Sequence, residues 1–189
     1  MKAIIDAAHE VQTWMENRSW RFCFIGGLAV IRWGEPRFTR DADATLFTGF
    51  GDEDEYIEAL LATYPARYPD AKEFALRHRV VLMKTTSGQD MDISLGGFPF
   101  EDHSIHRSSK FEFAPGILLR TCSAEDLIVM KAFADRAQDW VDIEGILIRE
   151  GEILKWNIVD EELPPLCDLK ENPGIVPRLQ TLRSKLRIK

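Results

Sequence analysis

Ile4, Ile5, Ala8, Val11, Trp14 and Met15 recur at helical spacing, which predicts an amphipathic opening helix over about Lys2–Arg18. Trp20–Ile25 is a short apolar run that stops at Gly26-Gly27, the pattern of a buried strand, and Leu28–Trp33 then reads as a short helix closed by Gly34 and Pro36. A second strand is expected over Asp41–Phe47. Tyr56, Ile57, Leu60 and Leu61 follow the acidic run Asp52-Glu53-Asp54-Glu55 as a helix whose first-turn acids offset the positive end of its dipole. That reading is preferred to a metal cluster. Pro65 and Pro69 bracket a loop, and Arg79–Thr85 and Gln89–Leu95 form a hairpin across Ser87-Gly88. Phe111–Phe113 and Ile117–Thr121 suggest one more strand pair. Ser123 has the character of a helix cap, with Glu125 and Asp126 behind it and a helical pattern to about Arg149, broken near Gln138. Two further helices follow, through Pro164-Pro165 and Pro173-Gly174. The expected fold is α/β (α+β): a mixed sheet flanked by helices over residues 1–121, with a helical C-terminal region over 122–189 packed on that core.

Composition narrows the class. The 189 residues are 45% hydrophobic and 29% charged, enough apolar side chain to build a core and exclude wholesale disorder. No apolar run approaches the roughly 20 residues that cross a bilayer, and the N-terminus meets Asp6 and His9 too early for a secretory signal. Cys23, Cys122 and Cys167 are scattered, which reads as reduced thiols in a cytoplasmic protein and excludes a disulfide scaffold or a cysteine zinc site. The net charge of −7 disfavours non-specific coating of duplex DNA.

The chemistry concentrates in three places. Gly26-Gly27 follows a strand and opens a helix, where glycine permits close backbone approach and helix N–H groups can hold phosphate oxygens. Asp41-Ala42-Asp43 lies on a strand, so both carboxylates share one face. Such like charges are costly unless a cation or water lies between them. Arg37, Thr39 and Arg40, just upstream, suit phosphate oxygens. In Met91-Asp92-Ile93 the acid alternates with apolar neighbours; Asp90 shares its face, and Asp92 is preferred because both its neighbours fix it within the sheet. Three carboxylates converging on one sheet face are suited to hard divalent cations.

These residues resemble the DNA polymerase beta-like nucleotidyltransferase superfamily, and within it the minimal, AbiEii-like branch. The resemblance rests on Gly26-Gly27, on Gly34, Arg37, Thr39, Asp41 and Asp43 matching position by position, and on Asp92 as the third strand acid. Lys131 is similar to a nucleotide-phosphate lysine, and Asp139 and Asp142 to an RDxxD element, with Arg136 offset by two residues. The resemblance covers about Arg21–Arg149. It implies a nucleotidyltransferase fold, magnesium (with manganese as the other candidate ion), and transfer of a nucleoside monophosphate from an NTP to an acceptor hydroxyl on RNA or tRNA, a protein or a small molecule. It implies Asp41, Asp43 and Asp92 as metal ligands and catalytic groups, and Gly26, Gly27, Arg37, Thr39, Lys131 and Asp139 at the nucleotide. Related members act as toxins or antitoxins. The runner-up reading is a non-catalytic nucleotide- or partner-binding module of antitoxin type.

Other features have plainer accounts. His103 and His106 read as a loop pair offering too few ligands for a metal, and Glu101 as either a pocket acid or an exposed loop acid. Lys131 reads equally as a lysine extending to water past its own stem. Asp139 and Asp142, three apart on a helix, do nothing if their face is solvent. Arg178, Arg183, Lys185, Arg187 and Lys189 form a basic tail that either steers an RNA backbone or complements a helix C-terminus.

Overall fold

A computed structural model describes residues 1–188; Lys189, the last of the basic tail, lies outside the described residues. The chain divides into two compact units, each assembled from two separate stretches: Met1–Leu28 with Phe38–Cys122, and Ala29–Arg37 with the chain from Ser123 onward. No helix among the described residues is long and apolar enough to cross a membrane.

The first unit is built on a six-stranded mixed sheet in the order β3-β4-β2-β1-β6-β5. Its strands are β1 (Phe22–Ile25), β2 (Asp41–Phe47), β3 (Val80–Lys84), β4 (Asp90–Gly96), β5 (Ser109–Ala114) and β6 (Ile117–Thr121). β2 runs antiparallel to β1 and parallel to β4, while β3–β4 and β5–β6 are antiparallel pairs. The helices of this unit are α1 (Lys2–Glu16), α3 (Glu53–Thr63), α4 (Ala71–His78) and α5 (Pro99–Arg107). Five of the six residues of the predicted apolar stripe of α1, Ile4, Ile5, Ala8, Val11 and Met15, are in the core, and the sixth, Trp14, is half-buried. Two of the three first-turn acids of α3 form ion pairs, Glu53 with Arg79 and Asp54 with Lys72.

Two helices differ from the sequence reading. α4 falls in a stretch to which the sequence reading assigns no element, between the loop bracketed by Pro65 and Pro69 and the strand expected from Arg79; only Ala75 is buried along it, so no apolar stripe marks it. It is fixed instead by left-handed residues at both ends, Asp70 (φ 57°) and Arg79 (φ 53°). α5 contains His103 and His106, which are therefore helical rather than in a loop. Its start is written in Pro99 at the first helical position and in Glu101, whose carboxylate accepts from the backbone N–H of Phe98 at 2.7 Å. Glu101 is thus a helix-capping acid, and burial pushes its carboxyl up despite these N–H donors.

The second unit is helical. α2 (Gly26–Trp33) begins in the first unit and ends in the second, where α6 (Ala124–Ala134), α7 (Ala137–Glu150), α8 (Trp156–Leu169) and α9 (Ile175–Lys185) pack together. Ser123 caps α6 through the Asp126 N–H at 3.1 Å. Within the tail, Arg178 pairs with Asp135 at 2.9 Å, and Arg183 lies over the Trp156 ring.

β6 pairs with β1 through a single partner, Phe24 with Thr121, so its earlier residues lack a strand on that side. Gln12 of α1 fills the gap: its Nε2 donates to Leu118 O at 2.7 Å and its Oε1 accepts from Arg120 N–H at 2.8 Å. Gln12 is buried. Gln12→Leu should therefore lower unfolding free energy by about 1–3 kcal/mol, the cost of leaving two backbone groups without partners, as read by urea denaturation.

Candidate active site

Asp41 and Asp43 stand on one face of β2, alternating with Ala42 and Ala44, which are buried on the other. Asp92 alternates in the same way with Met91 and Ile93 on β4. The parallel register sets Asp43 directly opposite Asp92 and Asp41 opposite Asp90. One carboxylate oxygen from each of Asp41, Asp43 and Asp92 lies within 4.8 Å of the others. Asp90 is turned elsewhere, towards Lys84 at 2.6 Å and Arg67 at 3.3 Å, which hold its carboxyl below the usual range, Lys84 first.

The flanking residues make room for these carboxylates and orient them. α2 begins at Gly26, whose φ of +55° is left-handed. A Cβ there would run into the Asp43 carboxylate, and one at Gly27 would stand 2.5 Å from Thr39 Oγ1. The glycine pair therefore brings the start of α2 directly against Asp43 and Thr39. Thr39 is buried, and its hydroxyl reaches Asp41 O at 3.0 Å and Asp41 Oδ1 at 3.2 Å. Arg67 contacts Asp92 Oδ1 at 2.7 Å. Burial pushes the Asp92 carboxyl up from an ordinary 3.8 to about 6; Arg67 opposes this, and Asp43, Asp41 and Asp90 add to it.

The second unit holds the other candidate residues in one ion network. Lys131 is buried, with Nζ 3.2 Å from Asp139 Oδ1 and 2.6 Å from Asp142 Oδ2. Arg37 grips both oxygens of Asp142, at 2.9 and 3.0 Å. Arg136 grips both oxygens of Asp139, at 2.7 and 3.2 Å. Burial alone would raise both aspartates, but hydrogen bonds from Arg136 and Lys131 hold Asp139 low, and those from Arg37, Lys131 and Gln138 hold Asp142 low. Three cations thus face two buried carboxylates. The stretch 34–37 lies along one face of α7: Arg149 donates to Gly34 O at 3.0 Å, a Cβ on Gly34 would stand 3.1 Å from Ile146, and one on Gly145 3.1 Å from Glu35 N.

Residues 19–163 match the family described as nucleotidyl transferase AbiEii toxin, type IV TA system. The chain belongs to the AbiEii nucleotidyltransferase family. By that membership it is a nucleotidyltransferase. No curated protein matches it. Among solved structures it is similar to an antigenic nucleotidyltransferase-like protein from Paracoccidioides brasiliensis, at 14% identity over 98% of this chain and 93% of that one, with a TM-score of 0.54. It is also similar to ANT(2")-Ia in complex with adenylyl-2"-tobramycin, at 15% identity over 97% and 96%, with a TM-score of 0.48. The first of these likenesses agrees with a nucleotidyltransferase-like fold.

For this AbiEii-family chain, the structure brings Gly26, Gly27, Thr39, Asp41, Asp43 and Asp92 together in the first unit, and Arg37, Lys131 and Asp139 together in the second. Sequence reasoning missed Arg67, which sits in a proline-bracketed stretch with no local signal, and it missed Asp142 as the hub shared by Arg37, Lys131 and Gln138.

Asp92 carries a pH signature. Between about pH 4 and 6 the folded protein retains a proton that the unfolded chain has released, so stability falls as pH rises through that window. Without added metal, Asp92→Asn should be more stable than wild type by about 1–3 kcal/mol at pH 7, and the gain should vanish near pH 4, as followed by thermal unfolding. The aspartates of the second unit behave oppositely. Their stabilisation is complete above the ordinary carboxylate range and is lost as pH falls below it. Asp142→Asn should cost about 2–4 kcal/mol at pH 7 by denaturant titration, with a shallower acid limb than wild type.

Proposed function

We propose that this chain is a magnesium-dependent nucleotidyltransferase that moves a nucleoside monophosphate from an NTP to an acceptor hydroxyl, as the toxin component of a type IV system. The observation that carries the metal assignment is the meeting of Asp41, Asp43 and Asp92 within 4.8 Å. The donor set fits a hard divalent ion: all three groups are carboxylates, and among the described residues no nitrogen or sulfur ligand joins the cluster. Asp92 Oδ1 is buried and makes no hydrogen bond beyond its ion pair with Arg67, which leaves it able to accept a further cation. Magnesium is the first choice and manganese the second. A bound divalent ion there would offset phosphate charge and acidify the acceptor hydroxyl.

The chain's own groups supply the rest. Asp41 and Asp43 present oxygens from β2, and Asp92, opposite Asp43 on β4, would orient, or take the proton of, the acceptor hydroxyl. The start of α2 at Gly26-Gly27 offers backbone N–H groups beside these carboxylates, where phosphate oxygens would be held. Thr39 acts by holding Asp41. Arg37, Lys131 and Asp139 enter the proposal as nucleotide-binding residues through the sequence resemblance. The acceptor is proposed as a hydroxyl of RNA, with tRNA foremost; a protein or a small molecule is an alternative outcome of the test.

The test is incubation of the purified chain with each labelled NTP, magnesium, and host RNA and protein fractions. Label should pass to one fraction, and Asp41→Ala should lower transfer by at least about a hundredfold while leaving the far-UV and near-UV spectra unchanged. Transfer by Asp41→Ala at the wild-type rate would overturn the assignment of the site.

A further inference from the structure

Arg67 is held where a surface arginine would not be. The stretch around it forms an extra edge on β3: Arg67 N–H donates to Leu82 O at 3.0 Å, Ala66 bridges Met83, and Lys84 N–H donates to Pro65 O at 2.8 Å. Leu82 is the partner of Asp92, and Asp92 the partner of Asp43, so Arg67, Leu82, Asp92 and Asp43 form one row across the sheet. From that position the guanidinium spans two carboxylates of one strand, 2.7 Å from Asp92 and 3.3 Å from Asp90. Its side chain is 15% exposed, and its Nε is buried without a hydrogen-bond partner. An arginine that accepts an unsatisfied buried N–H in order to bridge two acids is committed to those acids and not to solvent.

We propose that Arg67 is a positioning residue for the metal site: its two-pronged grip braces Asp92 towards Asp41 and Asp43, and its charge keeps the divalent ion weakly bound until nucleotide phosphates arrive. This rests on the metal assignment made above. The brace needs the planar fork, because its two terminal nitrogens stand beside two carboxylates at once, 2.7 Å from Asp92 and 3.3 Å from Asp90; an ammonium of similar reach pairs as closely with only one. The weakening needs only the charge. A unit positive charge beside the cluster need oppose divalent-ion binding by only about 1.4 kcal/mol to lower the affinity about tenfold.

The two parts separate in one set of full-length variants. Mn2+ binding is titrated without nucleotide by electron paramagnetic resonance at about pH 8, above the carboxylate range. Arg67→Gln should bind Mn2+ about tenfold tighter than wild type. Arg67→Lys should bind within about twofold of wild type but lower kcat about tenfold with KM for the NTP unchanged, because the charge remains and the fork is lost. Unaltered or weaker Mn2+ binding by Arg67→Gln overturns the inference, as does wild-type kcat in Arg67→Lys. Should Arg67→Gln fail to fold, the kcat and Mn2+ split of Arg67→Lys decides alone. Asp41→Ala separates this from the parent reading. If wild type shows no Mn2+ site that Asp41→Ala removes, the metal assignment itself falls and takes the inference with it. If that site is present and Arg67→Gln does not tighten it, only the role of Arg67 falls.

Discussion

Mutual repulsion among Asp41, Asp43 and Asp92 is the constraint around which the first unit is arranged. Like charges opposite one another across a strand pair disfavour that pairing, yet Asp43 and Asp92 are register partners. The opposite face of the same strands supplies what holds them. Ala42, Ala44, Met91 and Ile93 are fully or almost fully buried there, so slipping the register by one residue would exchange core for carboxylate on both strands. The apolar face fixes the register, and the register brings the charges together. Each carboxylate then has its own support: Thr39 on Asp41, the side-chain-free start of α2 beside Asp43, and Arg67 on Asp92.

The two units show what distinguishes a carboxylate cluster open to an outside cation from one already balanced. Asp139 and Asp142 are more deeply buried than Asp41 and Asp43, and burial on its own would raise them, yet they stay below the usual range because Arg37, Lys131 and Arg136 neutralise them. Asp92 has a single arginine, shared with Asp90, and three acid neighbours, and it is pushed up. Burial penalises an ion in both places; the balance of neighbouring charge decides the outcome. The repulsive cluster is the one for which an added divalent ion removes an existing cost, and enzymes commonly carry that kind of local instability at the place where chemistry is done.

Elements whose side chains face a core were legible in the sequence, because burial imposes a period. α1 shows it at helical spacing, and β2 and β4 show it as alternation. The alternation also told which face Asp41, Asp43 and Asp92 occupy. α4 was not legible, since it buries only Ala75, and α5 was obscured because its start lies among glycine and proline that also signal turns. What no local pattern could supply was pairing across distant stretches. Arg67 meets Asp92 because residues 65–67 happen to edge β3, and Lys131 meets Asp139 and Asp142 because α6 packs on α7. The equal weighing of Lys131 as ligand or solvated lysine omitted the arrangement found, in which its amine is buried between two carboxylates.

The family motif itself reads differently once each position has a partner. Gly34 packs on Ile146 and gives its carbonyl to Arg149, Arg37 grips Asp142, and Thr39 holds Asp41. Gly26 and Gly27 are empty where Asp43 and Thr39 need space. Most of the motif therefore specifies how a chain segment is fastened, and only Asp41 and Asp43 within it present oxygens to the cluster. A sequence match to such a motif is strong evidence for the fold, because many independent packing contacts must be satisfied together. The proposed chemistry depends on fewer atoms. As proposed, it needs the third carboxylate, which the motif does not contain, to arrive from β4, and the parallel pairing of β2 with β4 and the apolar residues that lock it bring that carboxylate there.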